Sequence, residues 1–190
     1  SINTNMNSKV EFYSKDGVLL DYKIPDDIEG TLSSFSMYKE KLRFSASDFI
    51  NPTRYIDLDL NTLDYTIVWQ DRVSNFNPAD YEKNFTYYES KDGTMVPLTY
   101  FHRKDLEINT ETPIFLYGYG GYNISIRPSF SRKYVGWLEL GGVVAIANLR
   151  GGGELGKKWH NAGRLKEKQN VFDDFLYASK YLEANNIGNR

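Results

Sequence analysis

The hydrophobic pattern changes period once along this chain, and that change limits the folds open to it. From Lys9 to about Arg72 the text is made of short alternating runs, "VEFYSKDGVLLDYKIPDD", "SSFSMYKEKLRFSASD", "TRYIDLDL" and "DYTIVWQ". Alternation of this kind belongs to strands, because successive side chains on a strand face opposite sides. Turn signals at Lys15-Asp16-Gly17, Lys39-Glu40-Lys41, Asn51-Pro52 and Asn61-Thr62 separate the runs, and no helical period intervenes. Strands at roughly 8 to 12-residue spacing suit a sandwich or propeller blades. Leu32 to Gln70 has the length of one four-stranded blade of about 40 residues, and Val10 to Ile24 reads as the outer hairpin of a blade before it. One and a half blades cannot close a ring, and a propeller protects its strand edges by closing. The first half is therefore expected to start inside a domain.

After Ser74 the pattern changes. "SNFNPADYEKN" reads as a polar connector, followed by a hairpin, "FTYYES" and "VPLTYFHR", turned at Lys91-Asp92-Gly93. A boundary near residues 72 to 78 divides the chain into predicted domains 1–72 and 73–190. Strand and helix then alternate. Thr112 to Tyr117 is a predicted buried strand. Ser131 to Leu140 is a predicted short helix with Tyr134, Trp137 and Leu138 on one face, stopped by Gly141-Gly142. "VVAIAN" is a continuous apolar run, as expected of a strand covered on both faces in a parallel sheet. A last helix is predicted from an N-cap at Asn170, with Asp173 and Asp174 in its first turn, where the helix dipole favours negative charge. Phe172, Phe175, Leu176 and Leu182 mark its expected buried side, and Gly188 its end. The order, a hairpin followed by β-α-β-α, is the opening of an α/β sheet, and "NNIGNR" runs off where another strand is expected.

Composition excludes several classes of function. The 190 residues are 41% apolar, enough for a core of ordinary size, and the net charge is −2 with Lys and Arg spread along the chain. No basic patch stands out for nucleic acid or an anionic membrane, and no run of about 18 apolar residues or signal-like start is present. Small molecules or peptides are the expected partners. Zero cysteines removes disulfides and thiolate chemistry, and fits a reducing compartment. Two glycosylation-type triplets, at Asn84 and Asn123, read as chance matches in an asparagine-rich chain. The 15 tyrosines fit a strand-rich fold.

Two glycine clusters follow the two predicted parallel strands. The second, "NLRGGGELGKKWH", contains Gly151-x-Gly153-x-x-Gly156, which formally matches a dinucleotide-binding fingerprint. The following residues, "KKWHNAGRLKEKQN", are mostly charged, whereas that fingerprint needs a helix that packs apolar side chains on the sheet. A tight backbone turn against neighbouring loops is the better reading. The first cluster, "YGYGGYN", lacks the third fingerprint glycine because Asn123 takes its place, and no Gly-Lys-Ser/Thr follows. It does fit the loop after an early strand of an α/β-hydrolase, where a donor waits for the oxyanion of an attacked carbonyl. A tyrosine hydroxyl is a neutral donor on a rigid ring, and flanking glycines let a substrate approach. Tyr119 is the candidate.

"FLYGYGGYNISI", "GGVVAIANLRGGGELGKKWHNAG" and "KQNVFDDFLYASKYL", in this order and spacing, resemble the prolyl oligopeptidase family of serine peptidases, and "YESKDGTMVPL" matches the hairpin that opens that family's catalytic domain. The resemblance is densest from Tyr87 to Leu182. It implies an α/β-hydrolase (here the N-terminal part of its sheet) preceded by the last blades of a β-propeller, in an enzyme that hydrolyses short peptides after proline through an acyl-enzyme. It also implies a cytoplasmic setting and no cofactor. Tyr119 matches the side-chain donor of the family's oxyanion hole. Tyr122 matches a residue lining the proline pocket, where the family commonly has phenylalanine. The added hydroxyl bears on the strictness of proline preference.

No Gly-x-Ser-x-Gly elbow occurs. In the family the serine, aspartate and histidine all follow the equivalent of Arg190, so the resemblance implies an internal fragment, inactive alone and partnered by the rest of the same enzyme. His102, His160, Asp173 and Asp174 do not fall at family catalytic positions, and two histidines 58 residues apart with no clustered carboxylates offer no metal ligand set. Other readings are a hydrolase relative of different specificity, such as a basic-residue oligopeptidase or an esterase, or a non-catalytic propeller interaction module.

Overall fold

A computed structural model describes residues 6–188. The chain divides into two compact units, one running to Asn75 and including Arg127–Phe130, the other made of Phe76–Ile126 and the residues from Ser131 on.

In the first unit, β1 (Phe12–Tyr13) and β2 (Leu19–Leu20) form a short hairpin. Four longer strands follow, β3 (Thr31–Tyr38), β4 (Lys41–Ser47), β5 (Arg54–Asp59) and β6 (Tyr65–Gln70), paired antiparallel in sequence order. Alternation decides their faces. Leu42, Phe44 and Ala46 lie two residues apart on β4 and join Ile56, Leu58, Leu32 and Ile28 in one core. Phe44, Ile56 and Leu58 are completely buried, each contributing about 1.5–3 kcal/mol. On the other face Arg43 and Asp57 are cross-strand partners, joined by two hydrogen bonds of 2.6 and 2.8 Å.

The second unit opens with β7 (Tyr81–Glu89) and β8 (Met95–Arg103), a hairpin turned at Gly93, where φ is +82°. β7 begins earlier than expected and takes in Tyr81–Asn84, which the sequence reading left in a polar connector. Then come β9 (Ile114–Gly118), α1 (Arg132–Glu139), β10 (Val143–Ala147), α2 (Lys157–Asn161) and α3 (Gln169–Ala184). The sheet order is β7-β8-β10-β9, with β10 antiparallel to β8 and parallel to β9. All five residues of β10 are buried, as its unbroken apolar run requires. On α1, Tyr134 and Leu138 are buried, while Trp137 donates from its indole to the Val143 carbonyl at 3.0 Å.

α3 departs from the sequence reading in three respects. It starts at Gln169 with Lys168 at the N-cap and no acidic residue in its first turn; Asn170 instead donates its amide to the Ala162 carbonyl at 2.9 Å. Its buried face is Val171, Asp174, Ala178 and Leu182, whereas Phe172, Phe175 and Leu176 are exposed. A buried stripe at spacings of three and four is helical in period, but one of its members is charged, so apolarity alone pointed to a different face. Its end is made by Asn186, not Gly188. Asn186 has φ +56° and donates its N–H to the Glu183 carbonyl, while Ile187 donates to the Leu182 carbonyl at 2.9 Å. That pair of bonds is the Schellman arrangement.

Candidate active site

Ala147 and Gly118 are paired residues at the C-terminal ends of the parallel strands β10 and β9, so both glycine clusters leave the sheet at one edge. In α/β sheets this edge is where ligand sites form. Most of the glycines here serve the packing of one loop on another. A Cβ on Gly120, where φ is +57°, would lie 2.5 Å from Val171 Cγ1 and 2.7 Å from the Arg150 carbonyl oxygen. One on Gly151 would lie 2.6 Å from the Gly120 oxygen, and one on Gly163 would lie 2.3 Å from the Gly151 nitrogen. These separations are below any contact a real Cβ makes, so three chain segments meet backbone to backbone. Asn123 N–H to Gly151 oxygen and Gly151 N–H to Trp159 oxygen, at 3.2 and 3.0 Å, tie the segments together.

Of the first cluster, Gly118 and Gly120 thus face protein, which differs from the expectation that the flanking glycines serve substrate access. Gly121 alone keeps an open face. A Cβ there would touch only the Tyr119 ring at 3.7 Å and Lys168 Nζ at 3.9 Å. Tyr119 is 42% exposed immediately beyond β9. Tyr122 is 86% exposed and has φ +52°, a left-handed backbone that costs an aromatic residue about 1–3 kcal/mol. Lys168, at the start of α3, donates to the Gly120 carbonyl at 2.9 Å and so pins the loop between the two tyrosines. An open cleft of about 520 Å³ lies beside it, with Tyr122, His160 and Arg164 among its walls.

The histidines have local tasks. His160 donates from Nδ1 to the Gly151 carbonyl at 2.8 Å. His102 is buried, with Nδ1 against the Arg103 carbonyl at 2.8 Å and Nε2 3.0 Å from Glu82. Asp174 is not a helix-start charge. It is fully buried and accepts from Arg150 Nη2 at 2.6 Å, from the Arg150 backbone N–H at 3.0 Å and from Ser90 Oγ at 2.6 Å. Arg150 also reaches Asp92 in the β7–β8 turn at 2.6 Å. That bond holds the Asp92 carboxyl down at about 2, against the smaller opposing effect of burial. Burial lowers the Arg150 guanidinium, but its bonds to Asp174 and Asp92 outweigh this and raise it. Asp173 is part-buried, 3.7 Å from Lys91, and accepts from the Gln169 side-chain amide at 3.1 Å.

Glu154 is the second buried acid of this unit. Its Oε1 accepts from the Ile126 N–H at 2.8 Å and from the Asn148 amide at 3.2 Å, linking the segment after Tyr122 to the segment after β10. Burial raises its carboxyl, opposed by those hydrogen bonds. Sequence reasoning missed Arg150, Glu154 and Lys168 as the frame of these loops. The available signal was a charged residue on either side of a triple glycine.

The sequence model of the prolyl oligopeptidase family matches residues 128–190. A prolyl endopeptidase of Elizabethkingia miricola is 38% identical over 181 residues, covering 94% of this chain and 25% of that protein. A prolyl endopeptidase of Dictyostelium discoideum is 36% identical over 185 residues, covering 95% and 24%. The solved structure of prolyl oligopeptidase B from Galerina marginata, bound to a 25mer macrocyclization substrate, superposes with a TM-score of 0.88 at 31% identity, covering 97% of this chain and 26% of that one. The chain thus spans about a quarter of the length of the relatives it matches.

Proposed function

The chain belongs to the prolyl oligopeptidase family, and from that membership we propose that it forms part of a serine-type peptidase that cleaves short peptides after proline. In this reading residues 1–72 are the end of a β-propeller, with β3 to β6 as one blade, and residues 73–190 begin an α/β-hydrolase sheet. The order β7-β8-β10-β9, with its single parallel pair joined through α1, supports the second assignment. The observation that carries the functional reading is the position of Tyr119. Its phenol stands half-exposed at the C-terminal edge of the sheet, on a loop that backbone packing and Lys168 hold in one conformation.

Such a donor lowers a barrier only if it is already in place when charge develops on the attacked carbonyl oxygen. The glycine contacts provide that rigidity, since Gly118, Gly120 and Gly151 pack against their neighbours with no room for a Cβ. Tyr122 forms one wall of the proline pocket, and the remainder of the same enzyme supplies the serine, aspartate and histidine. The substrate is a short proline-containing peptide. The test is kcat of the full-length protein on a chromogenic proline peptide. Tyr119→Phe is expected to reduce kcat by roughly 10²- to 10³-fold with little change in KM. An unchanged kcat removes the oxyanion role, and absence of turnover in the unsubstituted full-length protein removes the peptidase reading itself.

A further inference from the structure

Between Lys157 and Lys168 the chain carries five basic residues, Lys157, Lys158, Arg164, Lys166 and Lys168, and one acidic residue, Glu167. Five less one is a local formal charge of +4, in a chain whose net charge is −2. Lys and Arg are otherwise spread along the chain, and this segment is the exception. Elsewhere in the same unit Arg103 and Arg150 are each paired with carboxylates. Among the described residues no ion pair involves any of the five.

A run of like charge is usually a solvated face, and the exposed Lys157, Lys158 and Lys166 fit that description. Arg164 and Lys168 differ because they line the cleft beside the first glycine loop. Lys168 uses one N–H on the Gly120 carbonyl at 2.9 Å. An ammonium carries three, and this one lies 3.9 Å from the point where a side chain on Gly121 would begin, so it reaches whatever occupies that open face. Tyr122 and Leu165 border the same cleft, 86% and 81% exposed. Both have φ +52°, a backbone state that persists only where the surroundings impose it. Lys168 is part-buried and so acts through less water than a cation on an open surface, which strengthens its pull on an anion, while Arg164 is exposed and adds a second charge to the lining.

We propose that this cleft, lined by Gly121, Tyr122, His160, Arg164, Leu165 and Lys168, binds a peptide carboxylate, with Arg164 and Lys168 as its counter-charges. The carboxylate is an acidic side chain or a free C-terminus. That the carrier is a peptide rests on the peptidase reading above; that the cleft takes a carboxylate does not.

The experiment uses the full-length protein, isotope-labelled in these 190 residues, and follows their backbone amides by NMR during titration with three synthetic tetrapeptides. One is blocked at both ends and contains glutamate, one has a free C-terminus and no acidic side chain, and one is blocked and neutral. At least one charged peptide is expected to bind roughly fivefold tighter than the neutral one, with shifts at Gly121, Tyr122 and Gly163 that shrink in about 0.5 M salt. Whichever charged peptide prevails identifies the source of the carboxylate. Arg164→Glu is expected to abolish the preference, and Arg164→Gln to reduce it; neither replaces Lys168, and the amide spectrum reports whether each variant is folded. Equal binding of the neutral peptide, no shifts at these amides, or an unchanged preference in Arg164→Glu would overturn the proposal. Turnover is not measured, so failure here is separate from failure of the peptidase assay.

Discussion

Arg150 and Asp174 bury opposite charges in one place, with 3% and 0% of their surface exposed. Such a pair adds little net stability compared with apolar residues, but removing one partner strands the other away from water. Asp174→Ala should therefore cost about 3–5 kcal/mol in chemical denaturation. A loss under about 1 kcal/mol would mean that Arg150 finds another acceptor. Asp92, the third member, sets a pH dependence. Its carboxyl is held down at about 2 in the folded protein, below its ordinary value of 3.8, so its contribution is present above 3.8 and is lost as pH falls toward 2. Asp92→Asn should flatten the acid limb of a melting-temperature profile between those values. An identical limb in wild type and variant would exclude Asp92 as its source. Glu154 carries the opposite sign, since burial raises its carboxyl and its contribution fades as pH rises through the folded value.

At the level of elements, α3 shows how a helix terminates without glycine. Asn tolerates the left-handed state better than other side chains because its short amide bonds locally. Asn186→Val should lose about 1–2 kcal/mol, whereas Asn186→Gly should be neutral or slightly stabilising. Equal losses in urea titrations of the two variants would show that the side chain of Asn186, and not its φ of +56°, matters. The strands of both sheets, the Gly93 turn, α1 and the buried character of β10 were legible from periodicity, but β9, expected to be buried, is only part-buried with Phe115 exposed, because it ends the sheet order. The buried face of α3 was not. Asp174 occupies it because Arg150, 24 residues earlier, supplies the counter-charge, and no local period records such a partner.

For the whole chain, each unit has its own apolar core, with no residue in common. Ile56→Ala, in the first unit, should cost about 2–5 kcal/mol there and leave hydrogen-exchange protection of the β10 amides unchanged. A parallel loss of protection in β10 would show that the units unfold together. The amino-acid sequence by itself determined the strands, helices α1 and α3 though not α2, the change of period after the seventies, the family resemblance and the candidacy of Tyr119, because period, turn chemistry and motif order are local properties. Tertiary structure alone decided what the glycines serve. Gly120, Gly151 and Gly163 come from three separate segments, and only the packing of those segments on one another, with Val171 against Gly120, explains why none has room for a Cβ. It also decided that Gly121 keeps the open face, between the Tyr119 ring and the Lys168 ammonium, since side chains remote in sequence meet only once the backbone has closed around them.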